Sequence, residues 1–319
     1  MFYRRTAALA AAFLTAMSFG VVTAGSAGAV AWPWTDTTVF ALGPTDNYVA
    51  EWMGFSQGWT VIGRPASDLY AGSAGVFAID PTSGDIEMYD GTPGDWTVIG
   101  GPGEMFAEGG GHLYGLGPNG AYVAEWMGLS QGWTVIGGAA DSIEAGTAGL
   151  VETETYAVSN GTGYNYYQNI SLYNGTPGSW SYIGSSINGT EQLAVGYDIY
   201  KIDDSGRSVS EWAGGTTWGT ILDDGGYLDD LVGGDAGVTV DEDAEGVYLY
   251  QGSLDDWLEI SDFPSPQIGT QNPVAVSRTG IYGVGYTYGV GVTSVDLYSG
   301  SGSSWITIGG PADIVTAGD

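Results

Sequence analysis

Cysteine is absent from the 319-residue chain, so neither disulfides nor thiolate chemistry enter, and packing alone has to supply stability. Histidine occurs once, as His112, which excludes histidine-based catalytic triads and multi-histidine metal centres. Lysine and arginine total six against 37 aspartates and glutamates. Two of the six, Arg4 and Arg5, belong to the extreme N-terminus. Only Arg64, Lys201, Arg207 and Arg278 remain, four cations against 37 acids, a formal charge of −33. Such a body repels nucleic acid and anionic membrane surfaces and favours neutral or cationic partners. The three arginines are too scattered for the clustered carboxylate-binding site of a sialidase-like propeller. Sustained helical periodicity is missing, and after Ala31 no apolar run is long enough to cross a bilayer, so no membrane insertion is expected.

The first residues read as a leader. Arg4 and Arg5 precede an alanine-rich apolar run over residues 7–22, and Ala27, Gly28 and Ala29 form a small-residue cleavage site. Residues 1–29 are therefore expected to be a secretory signal peptide, residues 32–319 the mature domain, and the protein secreted.

What is abundant is glycine, 56 residues, with aromatics at 13%. Glycine breaks helices, whereas Trp, Tyr, Val, Ile and Thr suit pleated, half-buried strands. A tryptophan followed three residues later by isoleucine, and usually then by glycine, recurs along the chain. It runs through Trp59, Trp96, Trp133, Trp180, Trp218, Trp257 and Trp305, at intervals of 37, 37, 47, 38, 39 and 48 residues. Each unit contains four short apolar runs punctuated by Gly and Pro. A period near 40 with four strands is that of propeller blades. The two long intervals place insertions in blades four and seven, around residues 151–168 and 281–293.

Residues 311–319 align without gaps on residues 65–73, the first strand of a blade, and there the chain stops. Residues 39–42 align on 76–79, a second strand, so the first blade lacks its first strand. The expected fold is therefore all-β: a seven-bladed β-propeller of four-stranded blades, closed by the C-terminal strand completing the first blade. Residues 48–54 and 122–128 are identical. Blades one, three and five carry Glu-Trp on the third strand, and the other four carry an apolar residue and Tyr. A duplicated two-blade unit accounts for this.

Trp-x-x-Ile-Gly, with Gly75-Val-Phe-Ala-Ile before it and Asp85-Ile-Glu-Met-Tyr between, resembles the repeats of the tectonin and tachylectin-2 group of propeller lectins. The likeness runs from Asp36 to the C-terminus. It implies several shallow sugar sites between adjacent blades, with N-acetylated or similar sugars as ligands and glycans or glycoconjugates as partners. No residue of that group's sites maps onto this chain. The alternative is a non-catalytic protein-binding or structural propeller without a sugar site.

Sugar sites combine flat aromatic faces with groups that bond hydroxyls. The pairs Glu51 and Trp52, Glu125 and Trp126, and Glu211 and Trp212 offer both kinds, and they are the candidate ligand residues. The competing reading is a solvated glutamate beside a packed tryptophan. The seven repeating tryptophans are assigned to structure. Asp241, Asp243 and Glu245 alternate before Gly246 like the start of a Ca²⁺ loop, although the distal ligand of an EF-hand falls on Gly252. They are the candidate metal ligands, set against an ordinary exposed acidic turn, and no other cofactor is expected. The protein is not expected to be an enzyme; a carboxylate-pair glycosidase is the enzyme class that composition leaves standing.

Overall fold

The computed structural model describes residues 39–318, apart from 160, 162, 188–191, 224–225, 243–245, 262–273, 279 and 288–290. The leader expected over residues 1–29 and two of the three metal candidates, Asp243 and Glu245, lie outside the described residues. Seven four-stranded antiparallel sheets form a ring, and the helices among the described residues are two single turns of 3-10 type.

Closure occurs within the first blade. Its strands Val39–Leu42, Val49–Trp52 and Trp59–Gly63 come from the start of the described chain, and its inner strand, Ile314–Ala317, comes from the end. The two ends run antiparallel, with Val39 opposite Ala317 and Leu42 opposite Ile314. Asp313 locks the junction: its N–H donates to the Leu42 carbonyl at 2.9 Å and its carboxylate accepts the Thr45 N–H at 2.5 Å. Without this strand Val39–Leu42 would present a bare edge to other chains. Every other blade uses four consecutive strands, as in Asp68–Gly72, Gly75–Ile79, Ile86–Tyr89 and Trp96–Gly100 of blade two.

The apolar core lies between blades. Seven buried clusters fill the seven seams; in one of them Val39, Ala41 and Trp52 of blade one meet Tyr282, Val295 and Leu297 of blade seven. Alternation along the strand produces this, since neighbouring residues point to opposite sheet faces and each face needs an apolar partner.

The Trp-x-x-Ile-Gly motif builds the joint between blades. In all seven sheets the outer strand bulges, and the isoleucine is the extra residue. In blade one, for example, Val49 faces Gly63 and Ala50 faces Val61, leaving Ile62 without a ladder partner. Its carbonyl accepts the indole N–H of the next blade's tryptophan, Trp96, at 3.0 Å. The same bond recurs as Trp133 to Ile99, Trp180 to Ile136, Trp218 to Ile183, Trp257 to Ile221 and Trp305 to Ile260, at 2.6–3.2 Å. Trp59 donates to Ile308 at 2.8 Å and completes the circle. The glycine makes room for that indole: a Cβ on Gly100 would lie 2.7 Å from Trp133 Nε1.

The two insertions lengthen the hairpins between second and third strands. In blade four these strands are Gly149–Ser159 and Tyr164–Tyr173, and in blade seven Gly280–Thr287 and Gly291–Tyr298.

Candidate functional site

The third strands carry the glutamates singled out in the sequence. Glu51 lies opposite Phe40 and Thr60 in the first sheet, and Phe40 belongs to the seam shared with blade two. Its neighbour Trp52 points the other way, into the seam with blade seven, where it packs on Trp59 at 5.5 Å between ring centroids. Blade three repeats the split. Glu125 lies opposite Tyr114, which packs toward blade four, while Trp126 packs toward Phe77 and Ile86 of blade two. In blade five Glu211 lies opposite Tyr200, on the side of blade six, and Trp212 packs toward blade four. Consecutive strand residues face opposite ways, so the glutamate and tryptophan of each pair serve different seams.

The aromatic group beside each glutamate comes instead from the following blade. Tyr89 is raised above the ordinary phenol range by burial and by the Glu51 carboxylate, with Asp90 and Asp95 adding to it. Tyr173 is raised by burial and by Glu125, and Tyr250 by burial, then Glu211 and Asp256. Each of these tyrosines is partly exposed and rests on its own blade's repeating tryptophan, with centroids 5.1–5.2 Å apart. The seams from blades one to two, three to four and five to six thus share one design: a carboxylate from the first blade, a phenol from the second, and an indole behind it.

The three seams differ in detail. Burial pushes the Glu51 carboxyl above its ordinary range. Glu125 is 9% exposed and bonded to His112 Nδ1 at 2.7 Å, with the His112 ring stacked on Tyr114. In the first seam Arg64 reaches the buried carboxylate of Glu87 and also Asp80, at 3.2 Å, supplying the cation that a buried acid needs. The four cations divide among blades one, five and seven, so the arginines stay dispersed.

A second concave region lies on the ring axis. The inner strands enclose a cavity of about 480 Å³ and an adjoining one of about 390 Å³ between blades four, five and six. Asp68, Glu108, Glu144 and Asp230 line them, with no Lys, Arg or His among the lining residues. Burial and the neighbouring Asp230 carboxylate push Glu144 up to about 7. Asp68 is raised by burial, although the Tyr70 hydroxyl donates to it at 2.7 Å.

Of the proposed metal ligands, Asp241 is described. It lies on the second strand of blade six, 5% exposed and directly opposite Asp230. Among the described residues no group of three or more His, Cys, Asp or Glu is disposed to hold a metal ion.

Tyr89, Tyr173 and Tyr250 were visible as a repeat. Their meeting with the preceding blade's glutamate was not, because it depends on which way each strand faces. Of the axial acids, Asp68 and Asp230 occupy the same position of their inner strands, and each accepts the N–H of the leucine that follows it at 2.9 Å, whereas Glu108 and Glu144 occupy other positions.

No protein-family model and no curated protein matches this chain. Among solved structures it is similar to apo AztD from Citrobacter koseri, with a TM-score of 0.52 at 11% identity, covering 88% of this chain and 98% of that one. It is also similar to YCF48 bound to D1 peptide, with a TM-score of 0.48 at 13% identity over 87% of this chain and 85% of that one. A fucose-specific lectin from Aleuria aurantia has a TM-score of 0.38 at 18% identity, over 77% of this chain and 96% of that one. At 11% identity the likeness to apo AztD bears on the fold alone; the seven blades are those of this chain's own sheets.

Proposed function

We propose that the protein is an exported carbohydrate-binding propeller whose sugar sites are the three seams from an odd to an even blade. The observation that carries this reading is the recurrence, at every second seam, of a carboxylate beside a partly exposed tyrosine backed by tryptophan. The carboxylate accepts hydrogen bonds from vicinal sugar hydroxyls, and the aromatic face takes the apolar side of the ring. N-acetylated sugars are the first ligands to try. Each site is shallow, and three on one rigid ring convert weak single contacts into avidity toward glycans and glycoconjugates.

A glycan array with the wild-type protein, followed by competition with free N-acetylglucosamine, tests the reading. The triple variant Glu51→Gln, Glu125→Gln and Glu211→Gln should lose array binding while keeping its melting temperature. Retained binding removes these seams from the site.

A second reading, recognition of a protein, draws on the lengthened hairpin of blade four, where Tyr156, Tyr164 and Tyr166 are 42%, 65% and 53% exposed. An array silent for every glycan, with a partner captured by the wild type and not by a variant lacking these rings, would favour it.

A further inference from the structure

We infer that the open edge of the lengthened blade-four hairpin, residues 155–159, pairs antiparallel with the same edge of a second copy of this chain. This surface is separate from the seams and does not depend on the carbohydrate reading.

The edge itself supplies the first argument. In blade two the first and second strands finish level, with Asp68 opposite Ile79. In blade four the inner strand, Ser142–Gly146, reaches only as far as Ser142 opposite Thr153, whereas the second strand, Gly149–Ser159, runs on. Residues 154–159 are all exposed. Asp141 shows which way the main chain faces: its N–H donates to the Thr153 carbonyl at 2.7 Å, and its carboxylate accepts the Thr155 N–H. Alternate residues of a strand turn both main-chain groups to the same side, so Ala157 and Ser159 present theirs there too. Among the described residues nothing bonds those groups or the Thr155 carbonyl. Bare edges are ordinarily blunted by lysine, proline or a bulge, and residues 155–159 have none of these.

Charge names the occupant. The chain carries 37 acids against six lysines and arginines, so two copies repel over most of their surface. Residues 155–190 contain no charged side chain, and this is where two like-charged bodies can meet. The edge is also self-complementary. With Ala157 opposite Ala157 of the partner subunit, Thr155 meets Ser159 of the partner subunit, and Tyr156 meets Val158 of the partner subunit. Main-chain hydrogen bonds then form between the two alanines in both directions and from each Ser159 N–H to the facing Thr155 carbonyl. The bond from the Thr155 N–H to Asp141 is left intact. Tyrosine against valine is a favourable cross-strand pair, and Tyr156 is held for it by stacking on Tyr167, with ring centroids 5.5 Å apart. The patch is small beside the roughly 800 Å² per partner of a stable interface, so the dimer is a weak one, formed at micromolar concentrations or above.

Sedimentation velocity of the whole protein over roughly 1–200 µM, with a chelator present, tests the assignment. A reversible monomer–dimer equilibrium is expected. Raising the salt from about 0.05 to 0.5 M should hold or strengthen it by screening the repulsion between the two bodies. Ala157→Pro removes an N–H that no described residue uses, so the fold should survive while dimerisation weakens roughly tenfold or more. Ala157→Lys, which sets two ammonium groups face to face, should do the same and serves if the proline variant does not fold. Val61→Lys, at an exposed position on the outer strand of blade one, should leave the dimer intact. A monomer at every concentration would overturn the proposal. So would a dimer equally strong in Ala157→Lys, one that salt dissolves, or one that forms only when calcium replaces the chelator.

Discussion

The joint between blades two and three offers the sharpest test of how the repeat works. Trp133 donates its indole N–H to the bulged Ile99 carbonyl at 2.8 Å, and the Gly100 position sits against that same indole. Trp133→Phe removes the donor, a net loss of about 1 kcal/mol, plus about 1 kcal/mol of packing from the smaller ring. Gly100→Ala places a methyl 2.7 Å from Trp133 Nε1 and 3.0 Å from Ile86 Cγ2. Relieving that contact costs about 1–3 kcal/mol. The figure is bounded because blades five and six already carry Leu222 and Ser261 at this position, and their indole bonds survive at 3.2 and 2.6 Å. With Trp133→Phe in place there is no ring nitrogen at the joint, so the alanine methyl should fit. The double variant should then be more stable than the sum of the single losses by about 1–2 kcal/mol. Urea unfolding followed by circular dichroism, on the wild type, both single variants and the double variant, measures this coupling. Additivity within about 0.5 kcal/mol would show that glycine and indole act independently, and the account of the motif would fail.

Removing residues 314–319 deletes the buried side chains of Ile314, Val315 and Ala317 and one full strand pairing. That is roughly 3–6 kcal/mol of apolar burial, a large share of a typical domain's stability; an unchanged melting temperature would contradict closure through this strand. Glu144 and Glu152 are both raised to about 7, the first by burial and then Asp230, the second by burial and then Glu154. Their folded values exceed the unfolded value of about 4.5, so their contribution is complete below that pH and is lost as pH rises through about 7. A double glutamine variant should therefore gain stability relative to wild type between pH 5 and 8. The gain is on the order of 2 kcal/mol at Glu144 and smaller at Glu152, which solvent screens more; parallel stability curves would refute the shifts. Arg64→Met should destabilise the first seam by about 2–4 kcal/mol by leaving Glu87 buried without its cation, and Glu87→Gln in the same protein should restore part of the loss in a thermal melt.

The architecture was legible because its determinants repeat. Seven tryptophans at near-even spacing gave the number of blades, and the alignment of residues 311–319 on 65–73 located the closing strand. The long intervals likewise announced the hairpins that now extend blades four and seven. The candidate sites were legible only in part. Glu51, Glu125 and Glu211 stood out as acids where sister blades have apolar residues, but pairing each with the adjacent tryptophan overlooked strand alternation. Their aromatic neighbours are Tyr89, Tyr173 and Tyr250, about 40 residues away in sequence and one blade away in space. The bulge was invisible because Ile62 and its equivalents look like ordinary strand residues until the register is known. The axial acids Asp68, Glu108, Glu144 and Asp230 come from four blades, and only closing the ring brings them together.

The knitting of both chain ends into one sheet has a consequence for the order of assembly. Synthesis proceeds from the N-terminus and domains ordinarily fold as they emerge, but here the earliest sheet cannot be finished first. Val39–Leu42 must wait with an open flank until Ile314–Ala317, about 270 residues further along, has left the ribosome and arrives beside it. The blade begun first is the one completed last, and until that moment the nascent molecule is an unclosed arc.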